Sequence, residues 1–239
     1  MIVGSDTFQQ SSSDTAARAA GDPDNNLLAR GPKRRLAAEE IRDAALAASG
    51  LLTRVIGGRS VKPYQPAGLW EQSGTGKTYK QDTGSNLYRR SLYTFVKRTS
   101  PPPSMMTFDA VSREVCTARR EPTATPLQAL VLLNDPQFVE AARKVAERTM
   151  RRSPDDVGAR IRMASVALLG RAPDEAEQRI LARLFGEQRA IFAAQPSDAG
   201  RLLTVGESPA AGTFPSIELA AMTMVATALM NFDEFIVLR

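Results

Sequence analysis

The chain of 239 residues contains no histidine. That excludes imidazole bases, histidine metal ligands, Ser-His-Asp triads and haem attachment through Cys-x-x-Cys-His. It has one cysteine, Cys116, which excludes an internal disulfide and any cysteine-rich zinc or iron–sulfur site. Long apolar runs are missing as well. The most apolar segment, Ile217 to Met230, holds 14 residues and includes Glu218. A bilayer span needs about 20 apolar residues, so no membrane span is expected and this segment reads as a buried core helix. The opening residues Met1 to Asp6 have neither a basic stretch nor an apolar one, and no signal peptide is visible. What is present is ordinary globular material, with 43% hydrophobic and 24% charged residues.

The formal net charge of +5 is unevenly spread. Residues 61–120 carry 10 basic and 4 acidic groups, which accounts for the whole excess. Such a stretch favours an anionic partner, although a solvated loop surface also explains it.

Three sub-regions follow one another in what reads as a single domain. Residues 1–60 are a turn-rich entry followed by a helix. Gln9 to Ser13 is polar, and Gly21-Asp22-Pro23-Asp24-Asn25-Asn26 is a dense turn signal. Ile41, Ala44, Ala45, Ala48 and Leu52 then recur at helical spacing, predicting a helix from about Leu36 to Leu52. Residues 61–121 lose periodicity, and an irregular segment of this length is often functional. Asn86 to Thr99 reads as a short strand or a short helix, and the alternation of Leu92, Thr94 and Val96 against Tyr93, Phe95 and Lys97 favours the strand. Residues 122–239 read as a helical bundle. Thr125-Pro126 opens a helix through Leu133, Asp135-Pro136 one to Arg152, Ser153-Pro154 one to Leu169, and Pro173-Asp174-Glu175 the next. Pro215-Ser216 precedes the last. Ile180, Leu181, Leu184, Phe185 and Ile191 are the expected apolar face of the fourth. The expected class is therefore mainly α, with a long irregular centre and at most a short strand or two.

Ser73-Gly74-Thr75-Gly76-Lys77-Thr78 has the lettering of a phosphate-binding loop. Such a loop needs an earlier glycine where this chain has Glu71, a strand before it and a helix after it. Turn-like residues follow instead, and a glycine-rich surface loop is the expectation.

The aromatic residues are the better clue. All four tyrosines, Tyr64, Tyr79, Tyr88 and Tyr93, and the only tryptophan, Trp70, fall within residues 64–93. Arg89 and Arg90 lie among them, with Lys77 and Lys80. Rings beside cations suit sugars and anionic groups; equally, the hydroxyls could anchor a long loop to the helices. No nucleic-acid reading motif is present, and nucleic acid is not an expected partner. Glu71, Asp82, Asp109, Glu114 and Glu121 are the carboxylates available to acid–base chemistry of the glycosidase kind, which needs two of them facing across a cleft. The acidic pairs Glu39-Glu40, Asp155-Asp156 and Asp174-Glu175 sit at predicted helix starts, where the dipole explains them. Cys116 lies near Arg113, Arg119 and Arg120, but without a base it reads as inert.

Several long motifs carry a family likeness. They include Tyr88-Arg89-Arg90-Ser91-Leu92-Tyr93-Thr94-Phe95, Pro101-Pro102-Pro103-Ser104-Met105-Met106-Thr107-Phe108-Asp109-Ala110, Thr125-Pro126-Leu127-Gln128-Ala129-Leu130, Leu133-Asn134-Asp135-Pro136-Gln137-Phe138 and Ala228-Leu229-Met230-Asn231-Phe232-Asp233-Glu234-Phe235. Upstream, Leu27-Leu28-Ala29-Arg30-Gly31-Pro32 and Val61-Lys62-Pro63-Tyr64-Gln65-Pro66 belong with them. Together they resemble the C-terminal domain of unknown function of planctomycetal cytochrome c-type proteins. The resemblance implies a long exported or periplasmic parent, in which a haem-binding segment and a second uncharacterised domain precede this one. It also implies an association with polysaccharide breakdown, and it supplies no catalytic residue. Phe8-Gln9-Gln10-Ser11-Ser12 stands where the family has a Tyr-Arg-Gln-Ser-Ser-like run, so the chain is expected to be an N-terminally truncated copy. No cofactor is expected in it, haem c belonging only to the missing part. Expressed as it stands, without an export signal, it would be cytoplasmic.

Three functions remain open. The first is a non-catalytic binding or docking module for a glycan, an anionic polymer or a neighbouring domain, with Tyr64, Trp70, Tyr79, Tyr88, Arg89, Arg90 and Tyr93 as the candidate binding residues. The second is a polysaccharide-active enzyme using paired carboxylates. The third is a structural domain that packs against the preceding domains of its parent, for which buried rings and a bare apolar face would be the sign.

Overall fold

The computed structural model describes residues 2–12, 15–31 and 33–238. Met1, Ser13 and Pro32, which figured in the motifs and runs above, lie outside the described residues.

The fold is mainly α, as the sequence predicts. Helices α1 (Asp6–Gln9) and α2 (Ala16–Gly21) give the entry segment more order than its turn-rich composition suggests. Strand β1 (Arg34–Arg35) leads into α3 (Ala38–Ser49), and Gly50 in the left-handed conformation ends that helix. The central region contributes only the short helices α4 (Leu69–Gln72) and α5 (Pro103–Thr107). Then come α6 (Pro126–Asn134), α7 (Pro136–Arg152), α8 (Val157–Leu169), α9 (Glu175–Ala194), α10 (Pro196–Leu203), α11 (Ser216–Met230) and α12 (Asp233–Ile236). Strand β2 (Val237–Leu238) returns antiparallel to β1, with Arg34 opposite Leu238 and Arg35 opposite Val237.

Helix α11 is the centre of the bundle, packed against α7, α8, α9 and α10. It is buried on nearly every side, through Leu219, Met222, Val225, Leu229 and Met230 among others. This is the apolar segment read as a core helix, and each large side chain there contributes about 1.5–3 kcal/mol of burial. Its buried hydroxyls are satisfied within the helix: Thr223 donates to the Leu219 carbonyl at 2.7 Å and Thr227 to that of Thr223 at 2.9 Å. Helix α7 presents Phe138, Ala142, Val145 and Thr149 on one stripe, and all four are buried.

Three expectations need correction. Asn86 to Thr99 is not a strand. A 3₁₀ turn at Gly84–Asn86 leads into it and another at Ser91–Tyr93 lies within it, and single bridges join Thr53 to Arg89 and Val61 to Thr94. Leu87, Tyr88 and Arg89 are buried in succession while Leu92 is 74% exposed, which no alternating strand allows. The cap of α8 is Asp156, whose side chain accepts from the Ala159 N–H at 2.9 Å, three residues beyond Ser153. On α9 the buried residues are Leu181, Phe185 and Phe192, whereas Ile180 and Ile191 face outward. No helix among the described residues is long and apolar enough to cross a membrane.

Candidate functional site

The irregular region is held by two buried arginines. Arg42, on the otherwise apolar face of α3, donates to the carbonyls of Leu87 at 2.8 Å and Arg89 at 2.7 Å, to Ser91 Oγ at 3.2 Å and to Gln137 Oε1 at 2.5 Å. These bonds occupy backbone acceptors that a strand ladder would use, which is why no strand forms there. Burial pushes the Arg42 guanidinium down to about 10, opposed by the nearby Asp43 and Asp135 carboxylates. Arg89 donates to the carbonyls of Arg59 at 2.9 Å and Val55 at 3.2 Å and to that of Gly57, and its guanidinium lies 3.9 Å from the Tyr93 ring centroid. Its donors thus face the chain's own backbone. Arg90 is exposed and lies 3.6 Å from Asp43.

All four tyrosine hydroxyls find internal partners. Tyr64 and Tyr88 both donate to Glu140 of α7, at 3.0 and 2.8 Å. Tyr79 donates to the Pro63 carbonyl, and Tyr93 accepts from the Gly57 N–H at 2.8 Å. Burial raises the hydroxyls of Tyr64, Tyr79 and Tyr88 above their ordinary range. Glu140 is fully buried and also accepts from the Ser208 N–H at 2.6 Å. Beside it, Arg143 donates to the carbonyls of Val205 at 3.1 Å and Ser208 at 2.5 Å and to Glu147 at 3.2 Å. One buried polar network therefore joins the tyrosine region, α7 and the loop before α11. Sequence reasoning missed this network because Glu140, Arg143 and Glu147 lie in a charge-rich helix that reads as solvated.

Trp70 is only 6% exposed. Its ring meets Tyr79 edge-on at 5.1 Å and Phe95 at 5.8 Å, and two ammonium groups, Lys62 and Lys97, lie 5.1 and 4.7 Å from its centroid. Lys97 also donates to Ser73 Oγ and Thr75 Oγ1, both at 2.6 Å. The glycine-rich loop is thus tied down by its own lysine neighbour, with four-residue α4 before it and no helix directly after it. Among the carboxylate candidates, Asp82 accepts from Arg59 at 2.7 Å and from the Lys62 N–H at 2.8 Å, and these contacts hold it below its ordinary range against the cost of burial. Asp109 accepts from the N–H and hydroxyl of Thr123, both at 2.8 Å. Glu71, Glu114, Glu121 and Cys116 are exposed. No group of three or more Cys, Asp or Glu suited to a metal occurs among the described residues.

The sequence-predicted residues thus split. Trp70 and Tyr79 share one cluster, Arg89 and Tyr93 another, and Tyr64 and Tyr88 meet at Glu140. They do not line one groove. A large groove does open beside Tyr64, with a volume of about 1020 Å³. Helix α6 forms one wall through Leu127, Leu130 and Val131, with Asn134 and Asp135 at its end; Tyr64, Gln65 and Pro66 and the loop at Val205, Gly206 and Glu207 also line it. Leu127, Leu130 and Leu133 of α6 are 56%, 53% and 40% exposed, while Gln128 and Leu132 face inward. The available signal was composition. PLQALVLLN is apolar all round, and a helix of that kind belongs under cover.

The fold is thus mainly helical, its loops tied to the helices by buried arginine and glutamate, with a groove opening beside α6. The chain belongs to the family described as PSD1, protein of unknown function (DUF1553), whose sequence model matches residues 1–185. No curated protein and no solved structure matches it.

Proposed function

We propose that this chain is a non-catalytic docking module, and that it receives an apolar polypeptide segment, such as one from a neighbouring domain, in the groove beside α6. The observation that carries this reading is the pair of exposed leucines Leu127 and Leu130, with Val131 beside them, along that groove. Isolated exposed leucines are ordinary, but two on one face of a helix, lining a concavity together, mark an interaction surface. Size argues in the same direction. The groove is at the upper end of small-molecule pockets, which run to about 1,000 Å³, and its walls suit a helix lying along it. A glycan is the weaker occupant. Among the described residues Tyr64 is the sole aromatic ring lining the groove, and Trp70 lies outside it.

The test compares the wild type with Leu127→Asp/Leu130→Asp for retention of labelled amphipathic helical peptides and of soluble xylan and polygalacturonate. Peptide binding that falls at least about tenfold in the variant is expected, since burial of one leucine is worth about 1.5–3 kcal/mol. Both side chains are more than half exposed, so the variant keeps its melting temperature. Polysaccharide retention indifferent to these leucines, with no peptide binding, would overturn the reading.

A further inference from the structure

The chain is basic, and residues 61–120 carry its whole cationic excess. Yet among the described residues the groove wall contains no lysine and no arginine. That basic stretch contributes Tyr64, Gln65, Pro66, Gln81, Ser104 and Thr107 to the wall but none of its cations. The charged residues lining the groove are two carboxylates, Asp135 and Glu207.

Each carboxylate is fixed through one oxygen. Asp135 Oδ1 accepts from the Gln137 N–H at 3.0 Å as the cap of α7, and Glu207 Oε1 accepts from the Gly84 N–H at 2.5 Å. Among the described residues the second oxygen of each takes no hydrogen bond, and both groups border apolar surface. Two immobilised carboxylates with acceptor capacity to spare favour a partner that brings its own donors and positive charge.

We infer that the groove selects an amphipathic helix carrying lysine or arginine, with its leucine-like stripe against Leu127 and Leu130 and its cation received by Asp135 and Glu207. This rests on the docking reading above and adds to it the chemistry of the occupant. The selection runs against the long-range field of the chain, which at +5 repels basic peptides. A preference for the basic occupant therefore has to arise locally, from the groove.

Three fluorescein-labelled helical peptides with the same leucine stripe and lysine, glutamine or glutamate on the flanking positions provide the test. Anisotropy is read on the wild-type chain and on Asp135→Asn, Glu207→Gln and Leu130→Asp. Asparagine keeps an acceptor for the α7 cap and glutamine keeps one for Gly84, so both variants fold. The lysine peptide is expected to bind at least about tenfold tighter than the glutamine peptide, as desolvated charge pairs at interfaces do. Asp135→Asn and Glu207→Gln should each reduce that preference and leave the glutamine peptide unaffected. Equal binding of the lysine and glutamine peptides, preference for glutamate, or a lysine preference that survives both substitutions would overturn the inference. In those cases loss of binding in Leu130→Asp still upholds the docking reading; peptide binding that ignores Leu130 sinks the docking reading itself.

Discussion

Gly206 lies so close to Glu140 that a Cβ built on it would stand 2.5 Å from the carboxylate carbon. Its φ of +89° is in the left-handed region as well. The glutamate cannot swing aside without releasing Tyr64, Tyr88 and Ser208. Gly206→Ala should therefore cost about 2–4 kcal/mol, combining the left-handed penalty with overpacking. Gly212, with nothing within 4 Å of its Cβ position, is the control. Gly212→Ala should change stability by no more than about 0.5 kcal/mol. Urea denaturation of the two variants checks the pair.

Tyrosine hydroxyls that end on the buried glutamate matter more than one that meets a surface loop. Tyr88→Phe removes a donor from a fully buried carboxylate and should cost about 1.5–3 kcal/mol, the range for hydrogen bonds to charged groups. Tyr93→Phe loses a bond to the exposed Gly57 N–H and should cost about 0.5–1.5 kcal/mol. Tyr64→Phe and Tyr88→Phe share one acceptor, so their effects should depart from additivity by at least about 0.5 kcal/mol. A thermodynamic double-mutant cycle measures this.

Acid should loosen the join between α9 and α12. Arg171 donates to both oxygens of Glu177 at 2.7 Å and to Glu234 at 2.9 Å. The arginine holds the Glu177 carboxyl down at about 2, against an ordinary 4.5. A depressed carboxyl contributes stability above its unfolded value, and that contribution is lost as pH falls through the folded one. The stability of the wild type should therefore decline between about pH 4.5 and 2 more steeply than that of Arg171→Met. Urea midpoints across that window provide the measurement.

How much of this was legible depends on where the partners lie in sequence. The α7 start was readable because Asp135 and Pro136 act on the next two residues, and α11 because its composition alone demands burial. Short-range chemistry also misled in places. Ser153-Pro154 resembled a cap, but Asp156 holds the N–H of Ala159, and α10 carried too short an apolar pattern to register. The central region was opaque for a different reason. Its conformation depends on Arg42, whose acceptors stand 45 to 95 residues away, and on Glu140, whose tyrosines stand 76 and 52 residues before it. The clustering of aromatics was visible in sequence, whereas the inward direction of their hydroxyls was not. Nor was the groove, since its walls come from five separate stretches of chain.

Asp135 links the groove to stability with a sign opposite to that of Glu177. Burial raises its carboxyl above the ordinary 3.8, against the pull of the Gln137 N–H and the Arg42 charge. A raised carboxyl contributes stability that is complete below the unfolded value and is lost as pH climbs through the folded one. At neutral pH the ionised side chain is therefore held at a cost, and Asp135→Asn, which preserves a good helix cap, should be at least as stable as the wild type. That advantage should shrink as pH falls through the raised folded value of Asp135 and be gone below about 3.8, where the carboxyl is neutral in the folded and unfolded chain alike. Paired urea titrations at neutral and acid pH check this. A residue maintained against local stability is the pattern expected of a binding group. Asp135→Asn should accordingly gain stability at neutral pH while losing the preference for a basic peptide. A variant that lost both together would mark Asp135 as a structural cap alone.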